Sequence, residues 1–293
     1  MTADSRVKTE KTVLITGASS GIGKACALHL AAKGFSVFAG VRREEDGQAL
    51  QAEAPSGITP VLLDVTDAAS VRDAAAQVAE RTGGRIDALM NNAGIGRGGA
   101  LEATEMVDVR AVFEVNVLGL IAVTKAMIPL LLPNRGRIVN IGSTSSFLAI
   151  PGAAVYSASK FAVRALTDSL RNELHHLGVR VILVAPGAIE SSIWEKGRAY
   201  KQRMREAVSA DVAARYAALR RFGEHIEKEI RPIPAQRVAV VVERTLTAEK
   251  PKPHYLVGAD AAGAAKVARM PKWLTDRMIR KRIENANRKG GGE

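Results

Sequence analysis

Tyr156 and Lys160 stand four residues apart in Tyr156-Ser157-Ala158-Ser159-Lys160. On a helix that spacing puts both on one face. A phenol beside an ammonium is a proton-transfer pair. Free tyrosine has a pKa of about 10, so only ~0.1% of it is phenolate at neutral pH. A nearby cation favours the charged form and lowers that pKa towards the operating pH, where a general acid or base works best. The same spacing also occurs on helices that do no chemistry, so the surrounding elements have to decide.

The first of those elements is a glycine turn. Val13–Thr16 is a short apolar, β-branched run that predicts a strand. Gly17-Ala18-Ser19-Ser20-Gly21-Ile22-Gly23 follows, and Lys24–Lys33 predicts a helix closed by Gly34. Such a turn is at least a tight connection. At the start of a helix it is also a pyrophosphate cradle, because glycines admit close approach of the backbone and the helix end offers unpaired N–H groups. A second strand, Ser36–Val41, ends in Val41-Arg42-Arg43. An acid there would suit the ribose 2′-hydroxyl of NAD, whereas arginine suits the 2′-phosphate of NADP. Gly40–Arg43 contains no acid, and Glu44, Glu45 and Asp46 suit the first turn of a helix. The reading is NADP rather than NAD, set against a solvated arginine pair on a loop.

Further strands are expected at Ile58–Leu63, Ile86–Met90, Arg137–Ile141, Val179–Val184 and His254–Val257, with helices at 67–82, in two patterns over 102–132, and from Tyr156 to about Leu177. Alternation of this kind predicts an α/β fold, a Rossmann-type doubly wound parallel sheet of about seven strands flanked by helices. In such sheets ligands sit beyond the carboxyl ends of the strands. Gly17–Gly23, Arg42, Asp64, Asn91–Gly94, Ser143 and Pro186-Gly187 all follow strand ends, so six positions are expected to share one rim. Asn116 lies within the apolar run Val115–Val123, where a polar side chain bonds locally or reaches a site.

Thr16–Gly23, Asn91-Asn92-Ala93-Gly94, Asn116, Ser143, Tyr156-x-x-x-Lys160 and Pro186-Gly187 together resemble the classical short-chain dehydrogenases/reductases, in the family's order over residues 11–190. The resemblance implies an NAD(P)-dependent enzyme whose catalytic set is Asn116, Ser143, Tyr156 and Lys160. Tyr156 would exchange the proton with the substrate oxygen, and Ser143 would polarise the carbonyl. Lys160 would lower the Tyr156 pKa and hold the nicotinamide ribose, while Asn116 would hold a relay water. It places the cofactor on Gly17, Ser19, Ser20, Gly21, Ile22, Gly23, Arg42, Asp64, Val65, Asn91, Gly94, Tyr156, Lys160, Pro186, Gly187, Ile189 and Ser191. Two departures stand out. Ser191 occupies a place where the family often has threonine, and Ser20 one where its NADP members often have a basic residue. Val41-Arg42-Arg43, Phe161-Ala162 after Lys160 and His254–Gly258 resemble the retinol and 17β-hydroxysteroid dehydrogenase subgroup, which implies a hydrophobic alcohol or ketone. Dimers or tetramers are implied by default.

The 293 residues, 47% of them hydrophobic, suffice for a large core. They read as one domain over 1–293: a cofactor and catalytic core at 11–190, a helical substrate lid at 190–235 and a basic helical C-terminal extension at 260–293. Cys26 is the lone cysteine, which excludes an internal disulfide and fits a reducing cytoplasm. The polar start, Met1–Lys11, lacks the apolar core of a signal peptide. Ala111–Pro133 is interrupted by Glu114, Asn116, Thr124 and Lys125, so no transmembrane helix is expected. A cytoplasmic location follows, peripheral to a membrane in one reading.

The net charge of +12 is uneven. Residues 1–185 hold 19 Lys/Arg against 17 Asp/Glu, and the remainder holds 23 against 13. Three readings compete for the last third. In the first, Ile193, Trp194 and Tyr200 line a greasy pocket beneath a lid. In the second, Trp273, Leu274, Met278 and Ile279, among Lys272, Arg277, Arg280, Lys281 and Arg282, meet anionic lipid. In the third, the basic face is simply solvated or makes oligomer contacts. No motif or aromatic platform points to nucleic acid, and no metal site is read. The rival functions are a non-catalytic NADP(H)-sensing scaffold and a reductase of carrier-bound acyl substrates.

Overall fold

The computed structural model describes residues 11–190, 197, 200, 202–204, 206 and 208–289. Seven strands form one sheet: β1 (Thr12–Ile15), β2 (Ser36–Val41), β3 (Ile58–Leu62), β4 (Ala88–Asn91), β5 (Arg137–Ile141), β6 (Arg180–Pro186) and β7 (His254–Val257). Their order is β3-β2-β1-β4-β5-β6-β7 and every pairing is parallel. Parallel strands buried on both faces need apolar residues throughout, and Val13, Leu14 and Ile15 are all fully buried. The strand order reverses between β1 and β4, which opens a crevice at the carboxyl ends of those strands.

The helices α1 (Gly21–Ala32), α2 (Glu44–Glu53), α3 (Ala68–Thr82), α4 (Met106–Phe113), α5 (Gly119–Leu131) and α6 (Ala154–Glu173) cover the sheet. Asp67 caps α3 by accepting the Ala69 N–H at 2.8 Å, and Gly83 ends it at φ 62°, a left-handed conformation that glycine adopts without strain. One core lies between α1, the helix Gln236–Thr247 and the sheet, through Cys26, Leu30, Val238 and Val242. The other lies under α3 and α5, through Val71, Val78, Val123 and Met127.

Three expectations change. β4 starts at Ala88, two residues later than its apolar run, since Asp87 instead accepts from the Thr12 N–H at 2.8 Å. The two helical patterns over 102–132 are one continuous run, Met106–Leu131, joined by a π-helical turn at Glu114–Leu118. By length and hydropathy alone this run is able to cross a membrane, despite its polar interruptions. It instead packs as a core helix, with Val123, Met127 and Leu131 fully buried. The helical stretch expected over 193–231 is divided: among its described residues are helices Ala210–Arg215 and Ala217–Glu229, separated at Tyr216. The C-terminal pattern, Ala261–Arg288, predicts a helix broken near Pro271, and the chain does break there, into Ala259–Val267 and Lys272–Lys289.

Candidate functional site

The glycine turn joins β1 to α1 at the crevice. Gly17 and Gly21 have φ of 65° and 54°, where a side chain would be strained. A Cβ on Gly23 would lie 2.2 Å from Gly17 O and 2.6 Å from Asn92 Nδ2, so α1 starts against bare backbone. Ser20 is the extended N-cap residue of α1, and Ser19 is exposed beside it. Ile22 is half-buried and packs against the first core. The turn is braced from β4. Asn92 Nδ2 donates to Thr16 O at 2.9 Å and to Gly17 O at 3.0 Å, while Thr16 Oγ1 accepts the N–H groups of Asn92 and Ala93, both at 2.9 Å. This brace was not singled out in the sequence, although both residues lie in the quoted motifs. The helix end, the left-handed glycines and the Cβ-free approach fit a pyrophosphate.

Arg42 is exposed at the end of β2 and makes no hydrogen bond or ion pair among the described residues. Arg43 differs: its guanidinium donates to Asp46 at 2.7 and 3.0 Å. Asp64 follows β3 and faces Arg42. Burial would raise its pKa, but two hydrogen bonds from Thr66 and the Arg42 charge hold it below the ordinary value. Val65 is buried against Gly119 at the start of α5.

Asn91 is placed differently from the expectation. Its side chain lies in the core, donating to Thr124 Oγ1 and Asn140 Oδ1, both at 2.9 Å, so it adds no side chain to a ribose wall. Alternation along β4 explains this: Asn91 is the last strand residue and points inward, and the segment Asn92–Gly94 reaches the rim. Gly94 does face the site, since a Cβ there would lie 3.3 Å from Asn116 Oδ1 and 3.7 Å from Lys160 Nζ.

Asn116, 2% exposed, projects from the π-helical turn. Its carboxamide pairs with both backbone groups of Ile95, at 2.8 and 3.0 Å, and donates to Ser159 Oγ at 3.0 Å. The side chain thus ties the loop after β4 to α6. Ser159 itself donates to Tyr156 O at 2.7 Å, which extends the tie to the catalytic turn of α6.

Ser143 follows β5 and caps a short 3-10 turn reciprocally with Ser146, while its hydroxyl accepts the Ser145 N–H at 3.1 Å. The Ser143 hydroxyl also lies near enough to the Tyr156 phenol to favour its phenolate. Lys160 Nζ lies 5.9 Å from the centre of the Tyr156 ring and donates to Ile141 O at 2.9 Å. The pKa expectation is corrected here. Burial raises the Tyr156 pKa, the Ser143 hydroxyl only partly opposing it, and burial brings Lys160 down to about 8. Lys160, whose Nζ lies 5.9 Å from the ring centre, does not offset the desolvation of the phenol.

Pro186 ends β6, and the following segment is held from a distance. Ala188 N donates to Asp260 Oδ2 at 2.7 Å, and a Cβ on Gly187 would collide with both Asp260 oxygens. Nothing in the sequence linked Asp260 to this place, because it follows β7. Ile189 is buried in the first core and bridges Ile233 through its backbone. Ser191, Ile193 and Trp194 lie outside the described residues. Tyr200 is 6% exposed, but its hydroxyl donates to Asp108 Oδ2 at 2.8 Å and Arg97 stacks 5.3 Å from its ring. It is therefore part of a polar latch with α4, not a greasy lining. Among the described residues no cluster of three or more His, Cys, Asp or Glu side chains is placed to hold a metal.

The rim thus brings together the glycine turn, Arg42, Asp64, Gly94, Ser143, Tyr156, Lys160 and Gly187. Residues 11–202 match the short chain dehydrogenase family.

The chain belongs to the short-chain dehydrogenases/reductases.

Human dehydrogenase/reductase SDR family member 9 is 33% identical to it, over 96% of this chain and 91% of that protein. The NADPH-dependent 3-dehydrocapnine reductase of Ornithobacterium rhinotracheale is 33% identical, over 83% and 87%. Mouse retinol dehydrogenase 7 is 32% identical, over 92% and 88%. Among solved structures, a Burkholderia cenocepacia short chain dehydrogenase in complex with NADP aligns with a TM-score of 0.72 at 27% identity, over 92% of this chain and 97% of that one. A Burkholderia phymatum short chain dehydrogenase/reductase in complex with NAD aligns at 0.73 and 26%, over 88% and 92%. This short-chain dehydrogenase/reductase is an oxidoreductase with a retinol-dehydrogenase-like character.

Proposed function

We propose that the chain is an NADP(H)-dependent oxidoreductase that interconverts an alcohol and its carbonyl on a hydrophobic, steroid-, retinoid- or lipid-like molecule. The observation that carries the cofactor choice is the contrast between Arg42 and Arg43. Arg43 is engaged by Asp46, whereas Arg42, exposed after β2, makes no hydrogen bond or ion pair among the described residues and has only the nearby charge of Asp64 beside it. A free guanidinium at that place pairs with a 2′-phosphate. The NADPH-dependent reductase among the relatives supports the same choice.

When bound, the nicotinamide supplies or takes up the hydride. The chain positions the rest. Ser143 and Tyr156, whose hydroxyls lie near each other, offer two O–H groups to one substrate oxygen. A carbonyl oxygen that gains negative charge is stabilised by both donors and takes its proton from Tyr156. In the reverse direction the phenolate accepts the alcohol proton. Asn116 and Ser159 fix the catalytic turn of α6 against the loop after β4.

The segment 190–235 serves as the substrate lid, latched to α4 through Tyr200 and Asp108. The hydrophobic substrate class rests on the retinol-dehydrogenase-like relatives. The protein acts in the cytoplasm as a dimer or tetramer. Val107, Leu118 and Phe161, exposed on neighbouring helical segments, support such association. The helix Lys272–Lys289 makes a weak contact with anionic membrane.

Fluorescence titration with NADPH and NADH, on the natural chain and on Arg42→Ala, tests the reading. Losing a charge-assisted pair worth roughly 1.5–3 kcal/mol weakens NADPH by ~10- to 100-fold and leaves NADH unchanged. Equal or tighter NADH binding by the natural chain overturns the cofactor assignment. Binding without turnover of any steroid, retinoid or aliphatic ketone returns the sensing scaffold to the front.

A further inference from the structure

A cavity of about 290 Å³ opens beside the edge strand β7. Phe147 and Leu256 supply its large apolar walls, and Ala265 and Ala268 give it a smooth side on the helix Ala259–Val267 and the turn after it. Three basic side chains enter the same space: Arg164 from α6, His254 from β7 and Arg269. The cavity is small by the standard of drug-sized ligand sites, which start at roughly 300 Å³.

The charges are unbalanced. Asp168 is the carboxylate that serves this cluster, and it is already shared. It accepts from Arg171 and meets His254 Nε2, both at 2.7 Å, while Arg164 Nε stays 3.7 Å away. Arg164 is otherwise held weakly: its guanidinium lies 4.5 Å from the Phe147 ring centre, and its nearest carbonyl, Ser146 O, is at 3.4 Å. Arg269 is exposed and its guanidinium makes no hydrogen bond or ion pair among the described residues. Two guanidinium groups therefore face an apolar cavity with donor capacity to spare. Guanidinium is the side chain best matched to a planar carboxylate, which it binds through two parallel N–H bonds.

We propose that this cavity is a binding site for a small amphipathic carboxylate, an aromatic or short aliphatic acid. Its carboxylate pairs with Arg164 and Arg269, and its apolar part lies between Phe147 and Leu256. The assignment does not rest on the proposed reaction. Phe147 directly follows the Ser143–Ser146 turn, so the cavity adjoins the segment that carries Ser143.

The test is calorimetric titration of the full chain, without nicotinamide, with 4-phenylbutyrate. Its neutral amide and inorganic phosphate are the controls. The acid binds, and both controls bind at least ~10-fold more weakly, since each lacks either the charge or the apolar part. Arg269→Gln weakens the acid about ten-fold, in line with loss of one charge-assisted pair. Leu256→Trp, which fills the cavity, abolishes binding. Because Leu256 is partly exposed on an edge strand, the variant is checked for an unchanged circular dichroism spectrum; Arg269→Gln, at the surface, carries the test if it is not. Equal binding of the amide, unchanged affinity in Arg269→Gln, or no binding of the acid to the natural chain overturns the proposal.

Discussion

The Asp260 carboxylate accepts the Ala188 N–H at 2.7 Å, joining the start of a helix after β7 to the segment that leaves β6. Its second oxygen accepts the Ala261 N–H at 2.9 Å. The bond sets the height of Gly187-Ala188 above the crevice, where the nicotinamide is proposed to sit. Asp260→Ala removes both hydrogen bonds, each worth about 1 kcal/mol net, so global stability falls by about 2 kcal/mol at most. Cofactor affinity falls several-fold, and Asp260→Asn, which keeps an acceptor, restores most of it. Paired melting and cofactor titration check this; a fall in melting temperature with unchanged affinity would show a merely structural bond.

Gly23 is the position where space decides most. Any Cβ would approach Gly17 O to 2.2 Å, so Gly23→Ala must open the turn or shift the start of α1. The expected outcome is loss of cofactor binding by at least ~100-fold, with a destabilisation on the order of 1–3 kcal/mol from overpacking. Gly34→Ala is the control. It has open space around its Cβ position but a φ of 79°, so it pays only backbone strain and keeps cofactor affinity. Similar cofactor affinities in the two variants would refute the close-approach argument.

Tyr156→Phe removes the proton donor and leaves the turn of α6 packed. Turnover falls ~10²- to 10⁴-fold while cofactor binding persists. The pH dependence follows from the surroundings of the pair. Lys160 sits at about 8 in the folded chain against 10.5 ordinarily, because it is buried. Between those values the unfolded chain binds more protons than the folded one, so stability rises with pH across that window. The penalty is fully present below pH 8. Denaturant midpoints of the natural chain and of Lys160→Met, measured from pH 7 to 10, should converge as pH rises; a constant gap would contradict the burial of a protonated amine.

The helix Lys272–Lys289 is not a free appendage. Thr275 and Ala286 are buried, Arg221 of the helix Ala217–Glu229 donates to Asn287 at 2.6 Å, and Arg282 pairs with Glu229 at 2.7 Å. Trp273, 66% exposed, and Met278 remain outside, near Lys272, Arg277 and Lys281. Vesicles containing phosphatidylserine should therefore co-sediment with the chain at low salt, release it at high salt, and bind Trp273→Ala more weakly. Truncation would strip the neighbouring helix and is the poorer test. Binding that ignores both salt and Trp273 would dismiss the membrane contact.

The parallel sheet and the shared rim were legible because they depend on patterns of short range. Seven apolar runs separated by helical periods leave little choice but a parallel sheet, and a parallel sheet puts every strand's carboxyl end at one edge. Gly17, Arg42, Asp64, Ser143 and the Tyr156–Lys160 pair were therefore identifiable from type and position alone. The break at Pro271 was equally local, since proline cannot continue a helix interior.

Burial and long-range contact belong to the tertiary structure. Residue types could not show that Asn91 turns inward while Asn92 braces the glycine turn, because one step along a strand exchanges its two faces. Nor could they show that Asn116 is occupied by Ile95 and Ser159, or that Tyr200 bonds Asp108. The sign of the Tyr156 shift was settled the same way. The sequence supplies the neighbouring cation, but desolvation depends on everything packed around the phenol, and here desolvation wins. The sequence by itself determined which groups are available for proton transfer and cofactor binding. Packing alone decided which of them stay free for it, because partners such as Asp260 arrive from distant parts of the chain.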